Sequence, residues 1–83
     1  MRKSIRTPEQ MHLQSLLKEV RVEAALSQMD VAGRLGKPQS FVSKYESGER
    51  RLDLPELREV SQALGISLGE LVKRFESGLV NRK

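Results

Sequence analysis

The sequence has no cysteine, a single histidine, and three aromatic residues in 83 (two Phe, one Tyr). Without cysteine there is no disulfide framework, no thiolate metal site and no cysteine nucleophile, and the chain suits a reducing compartment. One histidine leaves too few ligands for a His-based zinc site. No apolar run approaches the ~20 residues that span a bilayer, and the basic start Met1–Arg6 is not followed by the hydrophobic core of a signal peptide. The expectation is a soluble, cytoplasmic protein with no membrane association. No glycine-rich loop of nucleotide-binding type opens a helix. The acidic residues offer no catalytic pair, and no nucleophile–base–orienter set is present. No catalytic residue, metal or cofactor is therefore assigned, and an enzyme is not expected.

What is present is a short, basic, aliphatic chain. Eighty-three residues suit one small domain, and a domain of this size buries only about 60% of its unfolded surface. With so few aromatics, the core falls to Leu, Val, Ile and Met. The formal charge of +4 and pI of about 9.9 are compatible with nucleic acid or an acidic membrane surface and prove neither.

No run alternates with the period of a strand. Thr7 with Gln10 reads as a capping box ahead of Pro8. Leu13, Leu16, Leu17, Val20 and Ala24 then follow at helical spacing, predicting a first helix over about 8–24. Ser27 caps a second helix over roughly 28–35, which Gly36 ends. A third helix begins at Pro38 or Gln39 and stops near Ser47-Gly48. Asp53 with Glu56 caps a fourth, with Leu57, Val60, Ala63 and Leu64 inward and Gly65 closing it. Ser67 with Glu70 caps a fifth, carrying Leu68, Leu71, Val72 and Phe75, and Ser77-Gly78 is expected to break it. His12 lies off the apolar stripe and reads as a solvated side chain. The expected organisation is a flexible basic arm (residues 1–7), an all-α five-helix domain (8–76) and a short basic tail (77–83).

The segment from Ser27 to Tyr45, SQMDVAGRLGKPQSFVSKY, is the most specific part. It reads as two short helices joined by a glycine turn, with Val31, Ala32, Leu35, Val42 and Tyr45 facing inward. The second of these helices keeps an outer face free of packing duty, occupied by Gln39, Ser40, Ser43 and Lys44. Ser27-Gln28 at the start of helix 2, Ala32 at the crossing, Gly36 at the turn, Val42 inward, Tyr45-Glu46-Ser47-Gly48 at the close of helix 3 and Leu64-Gly65-Ile66-Ser67 further on resemble the Cro/phage-repressor, or XRE-type, helix-turn-helix family. The resemblance covers residues 21–72. Two positions depart from that family's pattern. Ala25 stands where a glycine commonly ends helix 1, and Gly33 lies inside helix 2.

The resemblance implies a lambda-repressor-like fold whose third helix enters the major groove of double-stranded DNA, where each base pair presents a distinct donor and acceptor pattern. It implies a base contact at Gln39, whose amide can donate and accept at once, as adenine requires. Ser40, Lys44 and Ser43 share the reading face, while Phe41 either packs on the domain or touches a thymine methyl. The resemblance implies a phosphate contact at Gln28 and a partly buried ion pair between Arg21 and Glu46. Lys37, Arg50 and Arg51 flank helix 3 as candidate phosphate clamps, in a stretch (34–51) holding five basic and two acidic side chains.

The expected function is a transcriptional regulator binding double-stranded DNA as a homodimer on a two-half-site operator. Leu68, Val72, Phe75, Leu79 and Val80 extend an apolar strip beyond the needs of one small core, and either form the dimer interface or close the core. An antitoxin or adaptor whose DNA binding is secondary is the alternative. A controller of a restriction–modification operon is compatible with the length, and nothing in the sequence selects it.

Overall fold

The computed structural model describes residues 7–80, with Val80 given by its backbone alone. Five α-helices run in order along them: α1 Pro8–Glu23, α2 Gln28–Leu35, α3 Gln39–Ser47, α4 Leu54–Leu64 and α5 Leu68–Val80. No strand occurs among the described residues. The expected basic arm, apart from Thr7, lies outside them.

Local chemistry sets the helix starts. Ser27 Oγ accepts from Asp30 N at 3.0 Å while Asp30 Oδ2 accepts from Ser27 N at 2.8 Å, closing a reciprocal capping box. Asp53 and Glu56 do the same for α4. The backbone donation from Ser27 holds the Asp30 carboxyl below its ordinary range. Its contribution is present above the unfolded carboxylate range and is lost as pH falls through the depressed folded value. At Thr7 only half of the expected box forms. Thr7 Oγ1 accepts from Gln10 N at 3.1 Å, while the Gln10 side chain lines a gap beside Gln14 and Tyr45.

The helix ends share one solution. After α2, Lys37 N donates to Ala32 O at 3.0 Å and Gly36 takes a left-handed conformation (φ 68°); after α4, Ile66 N donates to Ser61 O at 3.0 Å around Gly65. The end of α1 uses the same bonds, Leu26 N to Arg21 O at 3.1 Å and Ala25 N to Val22 O at 2.9 Å. Here the left-handed residue is Ala25, at φ 61°. The chain thus holds an alanine where backbone sterics favour glycine, at a cost of about 1–2 kcal/mol.

The core draws on every helix: Leu16, Leu17 and Val20 from α1, Val31 and Ala32 from α2, Val42 and Tyr45 from α3, Val60, Ala63 and Leu64 from α4, and Leu71 from α5. Leu35 is half-buried against that core, and Ala24, expected inward, is exposed because α1 stops before it. Arg34 ties α2 to α4 by donating from Nη1 to the Ala63 carbonyl at 2.8 Å. α2 lies against both α3 and α4, while α1 packs on α3 and α5. The α2–α3 pair is therefore held between α4, which meets α2, and α1, which meets α3.

Two expectations are corrected at α5. The helix does not break at Ser77-Gly78 but runs on to Val80, so the tail expected to begin at residue 77 starts inside a helix. His12 is not a free surface side chain but half-buried. Its ring stacks on Phe75 with centroids 5.3 Å apart, and Nε2 lies 3.2 Å from the Phe75 carbonyl. Both corrections have one cause. A Cβ at Gly78 would sit 2.4 Å from His12 Cε1 and Nε2, so the missing side chain that suggested a helix breaker is what admits the imidazole between α1 and α5.

Stability should therefore respond in opposite directions at three sites. Ala25→Gly relieves the left-handed strain, and Gly33→Ala fills a helical position with no atom within 4 Å of the new Cβ. Each is expected to add about 0.5–1 kcal/mol in urea unfolding. Gly78→Ala is expected to cost about 1–3 kcal/mol by overpacking, and the loss should largely disappear in a His12→Ala background. A Gly78→Ala protein as stable as the parent would show that the His12 contact is not made.

Candidate nucleic-acid interface

The site begins with a charge inside the protein. Arg21, on the last turn of α1, donates from Nε to Glu46 Oε2 at 2.7 Å and from Nη2 to Oε1 at 3.1 Å; its Nη1 donates to the Leu26 carbonyl at 2.9 Å. The two side chains are only 11% and 5% exposed. The Glu46 hydrogen bond, opposed by burial, raises the Arg21 guanidinium further above its ordinary range. Both oxygens of the carboxylate and most of the guanidinium fork are thus satisfied by α1, α3 and the loop after α1, the condition under which a buried pair is tolerated.

Glu46 carries a third bond. Gln28 Nε2 donates to Glu46 Oε1 at 3.0 Å. A carboxylate only accepts, so the amide of Gln28 must point its nitrogen inward and its oxygen away. That oxygen accepts from Gln39 Nε2 at 2.7 Å. The chain Arg21–Glu46–Gln28–Gln39 therefore runs from the buried ion pair to the first residue of α3. Gln39 is exposed, and its amide keeps its oxygen and one N–H available outward.

The rest of the expected reading face is on the same helix. Ser40 and Lys44 are exposed and Ser43 is half-buried, while Val42 and Tyr45 occupy the opposite, buried side. Pro38 caps α3 with no side-chain bond, and Phe41 N donates to its carbonyl at 3.0 Å, which leaves the N–H groups of Gln39 and Ser40 as the first-turn donors an anion could meet. Burial, followed by the nearby Glu46 charge, pushes the Tyr45 phenol well above its ordinary range. It stays neutral in the fold; the stability this represents is present below about pH 10 and is lost as pH rises toward the folded value.

On the flank, Phe41 gathers two of the expected phosphate clamps. Lys37 Nζ lies 5.3 Å and Arg50 Cζ 5.0 Å from its ring centroid, and the ring meets Tyr45 edge-on at 5.7 Å. Each cation–π contact contributes about 0.5–1 kcal/mol at an exposed site. Arg50 Nη2 also pairs with Glu56 Oε2, the side chains being 41% and 25% exposed, and such pairs contribute roughly 0–1 kcal/mol. Arg51 is exposed in the following loop.

Sequence reasoning missed four of these links: Gln28 to Glu46, Gln28 to Gln39, Arg50 to Glu56, and the cations over Phe41. The first two join residues 18 and 11 apart and follow from how closely the turn folds α2 onto α3. Arg50–Glu56 spans six residues across a loop, where Asp53-Glu56 capping was the visible signal. Gln28, expected to reach a phosphate, spends its oxygen and one N–H on protein partners and retains one N–H.

The apolar strip on α5 is divided. Val72 is 42% exposed; Leu68 and Phe75 are half-buried against the core, and Leu79 is half-buried. Leu13, Leu57, Leu71, Val72, Phe75 and Glu76 line a mainly apolar groove. Of Val80 only the backbone falls within the described residues. No helix among those residues is long and apolar enough to cross a membrane.

Residues 17–71 match the helix-turn-helix family. The chain is 36% identical over 61 residues to the control protein C.MunI of Mycoplasma sp, covering 72% of this chain and 82% of that one. It is 40% identical to an XRE-family like protein from Pseudomonas syringae pv. tomato, whose structure superposes with a TM-score of 0.82 over 90% of this chain and 92% of the other. At 17% identity, the restriction–modification controller protein C.Esp1396I, solved as a tetramer in complex with its natural 35 base-pair operator, shares the fold with a TM-score of 0.83 over 90% of this chain and 99% of that one.

The buried charge is expected to dominate stability at the site. Glu46→Ala should cost about 3–5 kcal/mol, because it strands the Arg21 guanidinium. Gln28→Ala, which removes neutral-donor bonds at a half-buried position, should cost only about 1–2 kcal/mol. Urea denaturation of the two variants measures this, and a Glu46→Ala protein within 1 kcal/mol of the parent would remove the ion pair from its central place.

Proposed function

The chain belongs to the XRE-type helix-turn-helix family of DNA-binding transcriptional regulators, and we propose that it reads a two-half-site operator as a homodimer, with α3 of each protomer in the major groove. The observation that carries this reading is the Gln28–Gln39 hydrogen bond, which presents an oriented amide at the head of an otherwise unencumbered helix face. An amide with one acceptor and one donor free matches adenine N6 and N7. Ser40, Lys44 and Ser43 then contact bases or the adjacent backbone. Gln28 keeps one N–H for a phosphate while it positions Gln39. Lys37, Arg50 and Arg51 bind phosphates and set register without reading sequence.

A monomer with so few contacts binds weakly, so a second copy is part of the proposal. Its interface is the exposed α5 face around Val72 with the neighbouring groove beside Leu13, Leu57 and Phe75, extended by Leu68, Leu79 and Val80. Two reading helices then meet half-sites about 34 Å apart. C.Esp1396I was solved as a tetramer with a 35 base-pair operator, and a comparable site size is the natural starting point here. The role is that of a cytoplasmic regulator without catalytic activity; the specific case favoured by the similarity to the control protein C.MunI and by the fold shared with the restriction–modification controller C.Esp1396I is control of a restriction–modification operon.

Selection of bound duplexes from a random pool tests the reading directly, and recovery of a paired motif is the expected result. On that duplex Gln39→Ala should cost about 1–3 kcal/mol and relax preference at one base position. Arg51→Ala should weaken selected and scrambled duplexes alike, with the salt slope reduced by about 0.9. Val72→Lys should give a folded monomer by light scattering, with operator affinity reduced. Loss of no preference in Gln39→Ala would remove Gln39 from the base-reading set.

A further inference from the structure

We propose that Arg50 is a latched phosphate contact: in the free protein Glu56 occupies its guanidinium, Phe41 holds it beside α3, and on DNA a backbone phosphate replaces the Glu56 carboxylate. This rests on the DNA-binding reading above, and it assigns Phe41 and Glu56 as positioning residues that touch no base.

The geometry has three parts. Arg50 Cζ lies 5.0 Å from the Phe41 centroid and Lys37 Nζ 5.3 Å from the same centroid, so one ring collects two like charges at the edge of the reading helix. A single carboxylate, Glu56, is paired with Arg50. Glu56 is itself anchored, its other oxygen accepting from Asp53 N at 3.0 Å in the α4 capping box. The carboxylate therefore stays with α4, while the exposed guanidinium can exchange one anion for another. Phosphate and carboxylate both accept from the planar guanidinium fork. The exchange needs no rotation off the Phe41 ring, because only the in-plane N–H groups change partner. The second cation, Lys37, pairs with no carboxylate among the described residues, and its charge attracts the incoming phosphate.

Glu56 then competes with DNA, and removing its charge should tighten binding. Gln at the same position preserves the capping box, so Glu56→Gln separates the latch from the helix cap. Fluorescence anisotropy with the selected duplex and with a scrambled duplex of equal length reads the outcome. Glu56→Gln should bind both about three- to fivefold more tightly, the range open to an exposed pair, and the gain should vanish in an Arg50→Ala background. Phe41→Leu should weaken both duplexes about two- to fivefold, the range of a cation–π contact, with base preference unchanged, and Phe41→Tyr should restore the parent affinity.

Unchanged or weaker binding by Glu56→Gln overturns the latch, as does a gain that persists without Arg50, which would be a general field effect. A Phe41→Leu protein that loses preference for one base makes Phe41 a direct reader and overturns its positioning role. If Glu56→Gln does not fold, by circular dichroism, the Phe41 pair decides. A parent protein that binds no duplex at all defeats the DNA-binding reading itself, an outcome distinct from a parent that binds while its variants fail to respond.

Discussion

Glu46 accepts three hydrogen bonds from two other helices, and the placement of α3 follows from where those donors stand. Two come from Arg21 at the end of α1 and one from Gln28 at the start of α2. The pair is almost wholly withdrawn from water, so its Coulomb attraction is offset by desolvation and its net contribution to stability can lie near zero. Its value is directional. An apolar residue at the same place would fill the volume without specifying an angle. A planar guanidinium facing a planar carboxylate specifies distance and tilt together, and a further Arg21 N–H, on Nη1, fastens the Leu26 carbonyl that ends the α1 cap. The strained turn at Ala25 and the ion pair are thus parts of one joint.

That joint also explains why the surface amide has a definite orientation. Asn and Gln side chains are ambiguous in isolation, because oxygen and nitrogen exchange places on rotation. Here the ambiguity is removed at its source, since Glu46 cannot donate and Gln28 must offer it nitrogen. The constraint passes to Gln39 through a 2.7 Å bond. Ordering a glutamine on binding costs on the order of 1–2 kcal/mol of rotamer freedom. Part of that ordering is already present in the free fold, which is the sense in which the interior charge bears on recognition.

Much of the architecture was legible because the chain marks its helix boundaries with strong local chemistry. Ser27, Asp53, Gly36 and Gly65 stand at caps whose bonds involve neighbours three to five residues away, a range sequence patterns report well. The glycine at position 78 misled for an equally physical reason. Its signal is ambiguous between a helix stop and a close approach, and only the distant His12 resolves it. The candidate site divides in the same way. Which side chains face outward on α3 follows from the helical period, whereas the partners of Gln28 and Arg50 depend on how α2, α3 and α4 are set against one another. Pairings across 6, 11 and 18 residues carry no periodic signature.

The two kinds of contact around α3 also differ in what they can contribute. Gln39 is fixed through Gln28 to a carboxylate that has no solvent to escape into, so its geometry resists change and suits discrimination among bases. Lys37 and Arg50 are held by the face of one aromatic ring, an attraction with shallow angular dependence, and by an exposed ion pair that salt weakens. Such contacts tolerate small displacements of the backbone they meet. A reading helix needs both properties, because the phosphate positions of a duplex vary with sequence and bending while the hydrogen-bonding edge of a given base pair does not. The fold separates them by burial, attaching the amide proposed to face bases to its interior and leaving the cations proposed to face phosphates on its surface.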